Sequence, residues 1–193
     1  NNAAGIPLVE RGVQNSATTF TVGRDANGLP TGTTLRSIIG DPNPDYTATL
    51  TNEFAYKKFG LRVQLDAVKG GEVFNADFRT RQGVGNGKIA EQEHLGQLPR
   101  GYISGIYAIE QWRIDDGSFT KLREVSLSYN VGSIKSIKDI TIAFSGRNLI
   151  SWDNYKGYDP EVNAGGQSNL LRGIDFGAVP IPKTFSFTLQ AKF

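Results

Sequence analysis

Residues 46–69 read YTATLTNEFAYKKFGLRVQLDAVK, and the placing of the apolar residues along them decides the fold. In the first half Tyr46, Ala48, Leu50, Asn52, Phe54 and Tyr56 alternate with Thr47, Thr49, Thr51, Glu53, Ala55 and Lys57. In the second, Leu61, Val63, Leu65 and Ala67 alternate with Arg62, Gln64 and Asp66. A period of two sends successive side chains to opposite faces, so each half is expected to be a strand with one greasy and one wet face. Lys57-Lys58-Phe59-Gly60 between them is expected to be a tight turn, which makes the stretch an antiparallel hairpin.

The same period returns downstream. Over 121–131, Val125, Leu127, Tyr129 and Val131 face away from Glu124, Ser126, Ser128 and Asn130, although the apolar phase is clear only in the second half. After a turn at about 132–139, Ile140, Ile142 and Phe144 alternate with Thr141, Ala143, Ser145 and Arg147. The chain closes with Phe185, Phe187, Leu189, Ala191 and Phe193 against Thr184, Ser186, Thr188, Gln190 and Lys192. A weaker strand is expected at about 17–23, with Asn27-Gly28 after it as a turn signal.

The connections alternate between short (57–60 and 132–139) and long (70–118 and 149–182), the long ones rich in Gly, Asn and aromatic residues. Transmembrane barrels have short periplasmic turns and long extracellular loops, and their strands need roughly 9–11 residues to cross the bilayer at a tilt. The expected fold class is therefore all-β, a run of antiparallel strands from a transmembrane β-barrel. In lipid no backbone edge can be left unpaired, and the smallest bacterial barrels close with about eight strands. Five or six strands are thus expected to be completed by others upstream. A soluble β-sandwich binding module shows the same alternation and Gly-rich loops, and a passive porin or adhesin-type barrel has the same wall, so both stay open as alternatives.

Composition narrows the function classes. The chain of 193 residues has no methionine and opens Asn1-Asn2-Ala3-Ala4, so it is expected to be a piece of a longer protein. No apolar run approaches the roughly 20 residues of a membrane-spanning helix, which leaves a barrel possible. Zero cysteine removes disulfides, thiolate metal sites and a cysteine nucleophile. A net charge of +2, with bases and acids interleaved, gives no patch for nucleic acid.

Candidate chemistry is sparse. His94 stands with Glu91 and Glu93 in a polar stretch without a second strong ligand at helical spacing, and reads as a solvated loop. Gly83-Val84-Gly85-Asn86-Gly87 lacks the leading strand and following helix of a phosphate cradle and reads as a loop tip. Asp153, Asp159 and Glu161 lack the alternating oxygen ligands of a calcium loop and are expected to make structural contacts. No catalytic triad or carboxylate pair stands out; no enzyme activity, metal or cofactor is expected.

Several stretches occur in the order found at the C-terminal end of SusC/RagA-type TonB-dependent outer-membrane transporters. They are Gly40-Asp41-Pro42-Asn43-Pro44-Asp45-Tyr46, then Gly70-Gly71-Glu72-Val73-Phe74-Asn75, then Asp116-Gly117-Ser118-Phe119-Thr120-Lys121-Leu122. The most specific is Gly146-Arg147-Asn148-Leu149 followed by Trp152, Tyr155, Gly157, Tyr158, Asp159, Pro160, Glu161 and Val162. Val179-Pro180-Ile181-Pro182-Lys183-Thr184-Phe185 then leads into the last strand. The chain resembles that family over about 20–193, least over 78–112.

The resemblance implies that residues 1–193 are the C-terminal part of a plugged barrel of about 22 strands in the bacterial outer membrane. Residues 70–118 and 149–182 would be its extracellular loops, and the plug would lie outside this chain. It implies import of oligosaccharide or peptide, energised by the TonB complex through the absent N-terminal part, with a SusD-like surface lipoprotein as lid and membrane lipid around the wall. Phe187, Leu189, Ala191 and Phe193 resemble the signal read by the barrel-assembly machinery. Trp152, Asn154, Tyr155, Tyr158 and Asp159 are the candidate ligand or lid contacts, with the aromatic belt of a barrel rim as the other reading of the rings. Glu53, Arg62, Asp66, Glu124 and Arg147 are expected to face the lumen.

Overall fold

The alternating stretches all become strands of one sheet, and each runs further than its pattern shows. The computed structural model describes residues 1–14, 20–34, 37–134, 137–166, 168 and 170–192. In chain order the strands are β1 (Arg11–Gln14), β2 (Phe20–Val22), β3 (Thr33–Thr34), β4 (Pro44–Tyr56), β5 (Phe59–Gly70), β6 (Glu72–Asn75), β7 (Ile114–Asp116), β8 (Phe119–Ile134), β9 (Ile137–Asp153), β10 (Ile174–Asp175) and β11 (Thr184–Lys192). Three short helices, α1 (Ala76–Gly83), α2 (Lys88–His94) and α3 (Tyr102–Tyr107), and a 3-10 turn at Glu110–Arg113 lie between β6 and β7. None is long and apolar enough to cross a membrane. The chain divides into two units: 1–41, 73–115 and 163–177 form one, and 42–72, 116–162 and 178–193 form the other.

The second unit is an antiparallel meander in the order β11-β9-β8-β5-β4. Lys57 turns the first hairpin at φ 53°, and Tyr56 pairs with Phe59 across it. The second short turn is tighter than the expected 132–139, because Ile134 pairs with Ile137 and only 135–136, outside the described residues, intervene. The second long connection also starts later than expected, since β9 continues to Asp153. Both long connections leave from the same end of the sheet, where β5 and β9 finish and β8 and β11 begin. At 16 and 17 residues β8 and β9 extend about 50 Å, well beyond the length that crosses a bilayer.

In the first unit the weak strand expected at 17–23 is present as β2 over Phe20–Val22, while 17–19 lie outside the described residues. It pairs with β1, and Asp25 turns the chain after it by accepting the N–H groups of Asn27 and Leu29. The expectation of an irregular 70–118 loop needs correcting, because this stretch carries the three helices. Each has six to eight residues and one or two buried side chains, too few to print a helical period on the sequence. Asn75, wholly buried, starts α1 by accepting the Phe78 N–H. The loop tip 83–87 likewise runs straight into a helix, with Gly87 as the residue before α2. A Cβ on Gly87 would lie 2.1 Å from the Gln82 side chain, whose Oε1 accepts the Ala90 N–H. Val73, Ala76, Ala90 and Ile106 form this unit's small apolar core.

Candidate functional site: a two-faced sheet and its ion cluster

Register fixes which residues share a face. Leu50 pairs with Leu65, Phe54 with Leu61, Leu61 with Leu127, Leu127 with Phe144 and Phe144 with Phe187. Since alternation is kept along each strand, these residues, with Val63, Val125, Ile142, Tyr129 and Leu189, form one continuous apolar face across five strands. Leu50, Phe54, Leu61, Leu127, Phe144 and Phe187 are 36–70% exposed. No second sheet lies against them within the unit, which overturns the β-sandwich alternative. Apolar patches on soluble monomers rarely exceed a few hundred Å², so a face this wide needs a hydrocarbon neighbour.

The opposite face carries Thr, Ser, Gln and charge. Glu53, Arg62, Glu124 and Arg147 run across β4, β5, β8 and β9 as a ladder, with Arg62 at 2.5 Å from Glu53 and 3.8 Å from Glu124, and Arg147 at 3.3 Å from Glu124. Strict alternation would put Arg123 on the apolar side with Val125 and Leu127. A β-bulge prevents this: β5 steps from Gln64 to Leu65 while β8 steps from Glu124 to Leu122, so Arg123 is the extra residue. Arg123 reaches Asp66 at 2.6 Å, Asn148 at 2.9 Å and Glu161 at 3.0 Å. The bulge also explains why the apolar phase of β8 is legible only beyond it.

Beside Arg123, Lys121 is 4% exposed, and its Nζ donates to Asp159 Oδ1 at 2.6 Å and Glu161 Oε2 at 2.8 Å. Asp159, 7% exposed, also accepts the N–H groups of Glu161 and Ile181. Asn148, at φ 53°, donates to the Pro182 carbonyl. One cluster therefore fastens two parts of the second long connection, 159–162 and 181–182, to the polar face of β5, β8 and β9. Phe119, Tyr155 and Val162 are its apolar packing, with Lys121 over the Phe119 ring at 5.0 Å.

The sequence candidates separate accordingly. Asp159 is held by Lys121 and Tyr155 is buried, so both serve the cluster. Trp152 and Tyr158 are 52% and 69% exposed, and Trp152 and Asn154 line an open concavity of about 630 Å³ with Tyr46, Lys69 and Asp116. Asp153 accepts from Ser151 and from the Tyr155 N–H, so the three acids considered for calcium are engaged in side-chain and backbone contacts. His94 ends α2, and its neighbour Glu93 accepts the N–H groups of Gly101 and Ile103. Those bonds hold the Glu93 carboxyl below its usual range. Phe187, Leu189 and Ala191 lie in β11 on its apolar side; Phe193 is outside the described residues. Sequence reasoning missed Lys121, Arg123 and Asn148, for which the phase break in β8 was the available signal.

No family model matches the chain. It is 29% identical over 187 residues to TonB-dependent receptor P3 of Formosa agariphila, covering 88% of this chain and 18% of that one. TonB-dependent receptor P26 of the same organism is 26% identical over 176 residues. Among solved structures, the RagAB peptide importer in its closed-closed state matches 96% of this chain and 22% of the other, with a TM-score of 0.63 at 19% identity. The open-open state matches with a TM-score of 0.59. The chain is a relative of the TonB-dependent receptors, of the SusC/RagA kind. Its fold is that of their barrel wall, and its place is the bacterial outer membrane. It spans under a fifth of the length of the TonB-dependent receptors it matches.

Proposed function

We propose that the protein carrying this chain imports a nutrient across the outer membrane with energy supplied through TonB. This stretch forms wall and outer loops, and no catalytic step belongs to it. The observation that carries the reading is the five-strand face of aliphatic and aromatic residues backed by a face of paired charges, the arrangement a barrel needs between lipid and a hydrated lumen. The long connections 70–118 and 149–182 then lie outside the cell, with Trp152, Asn154 and Tyr158 as the contacts for substrate or for a SusD-like lipoprotein lid. The RagAB neighbours are peptide importers, which supports such a partner and makes peptide, beside oligosaccharide, a substrate class to test. The remaining wall, the plug and the TonB contact come from other parts of the protein, and Phe187, Leu189 and Ala191 serve its insertion by the assembly machinery.

Deleting the whole gene and growing cells on single peptide or oligosaccharide sources tests this. Growth on one class should fail, return with the intact gene, and fail again when TonB is removed. Growth that returns without TonB would instead support the passive porin.

A further inference from the structure

Two arginines of the first unit take no part in anything described so far. Arg79, on α1, lays its guanidinium 3.7 Å over the Tyr107 ring. Arg113, at the end of the 3-10 turn, is 4% exposed and stands 5.1 Å from the Phe74 ring. Glu110, half exposed, pairs with Arg113; among the described residues no carboxylate lies within ion-pair distance of Arg79. The Nε atoms of both arginines are buried and have no hydrogen-bond partner among the described residues. Two cations therefore share one half-solvated acid in a place where unpaired charge is costly.

Between them lies a nearly closed cavity of about 10 Å³, lined by Arg79, Arg113, Gln82, Ile106, Tyr107 and Trp112. That is room for one atom of water size. Its polar lining is mostly donor: guanidinium and indole N–H groups cannot accept, and the Gln82 oxygen is already used by the Ala90 N–H. A water there needs acceptors for its own two protons. A monovalent anion takes the donors and cancels the surplus charge. A carboxylate exceeds the space.

We propose that Arg79 and Arg113 bind a single halide ion, chloride under ordinary conditions, which neutralises the pair and locks α1 to the 3-10 turn. The test uses the full-length protein in detergent, crystallised and soaked in bromide. An anomalous peak within hydrogen-bond reach of both Nε atoms, displaced by excess chloride, is expected. Melting curves in chloride against gluconate at equal ionic strength should show a saturable rise. Arg79→Met should weaken the half-saturating chloride concentration by at least about tenfold, the loss of one charge-assisted bond. Ordered arginines with no bromide peak would overturn the proposal whatever the melting curves show, and this outcome does not depend on the variant folding.

Discussion

Burial separates the charged residues of the sheet that matter for stability from those that do not. Lys121 is almost wholly buried against Asp159 and Glu161, whereas Arg62 and Glu53 are about half exposed. Removing one member of a buried cluster leaves charge stranded and costs about 3–5 kcal/mol, while an exposed pair contributes about 0–1 kcal/mol. Lys121→Met should therefore speed hydrogen exchange at 155–162 by more than a hundredfold, and Arg62→Met should leave it nearly unchanged. Glu93 gives a pH prediction. Its folded pKa lies below the unfolded value of 4.5 because the Ile103 and Gly101 N–H groups bind the carboxylate. The stabilisation is fully present above about pH 4.5 and is lost as pH falls through the lower folded value. Exchange at Gly101 and Ile103 should rise across that acid window in the native protein and show no such step in Glu93→Gln.

At the level of elements, β8 carries the sharpest contrast. Leu127 lies on the apolar face and Ser126 on the polar one. An arginine at mid-bilayer on the lipid face costs about 2–4 kcal/mol. Leu127→Arg should lower the yield of folded barrel in outer-membrane fractions far below that of Ser126→Arg; equal yields would contradict the assigned faces. Deleting Arg123 should remove the bulge, take away the hub linking Asp66, Asn148 and Glu161, and expose 159–162 to protease. The five long strands were legible because each keeps one face apolar over four or more alternations. The ends of β8 and β9 were not, because past Ile150 and before Ile140 the period no longer separates lipid from water. The helices of 76–107 were hidden for a different reason, each being too short to show a stripe. The ion cluster was hidden because its members, Asp66, Lys121, Arg123, Asn148, Asp159 and Glu161, are brought together only by the bulge and the returning loop.

For the whole molecule, the sheet makes sense only with lipid on one side. An open five-strand meander leaves backbone unpaired along β4 and β11, and neither edge can stand bare in a bilayer. The matched receptors, several times longer than this chain, have the length to supply the remaining wall. The most direct test places single spin-labelled cysteines at Val125, Ser126, Leu127, Ser128 and Tyr129 of the full-length receptor in lipid bilayers, in a stretch that has no cysteine of its own. Oxygen dissolved in the bilayer should reach 125, 127 and 129, while a water-soluble relaxation agent should not. Positions 126 and 128 should be shielded from the lipid-borne probe. Water-soluble reagent reaching the odd positions as readily as the even ones, or no alternation at all, would contradict the lipid-facing wall.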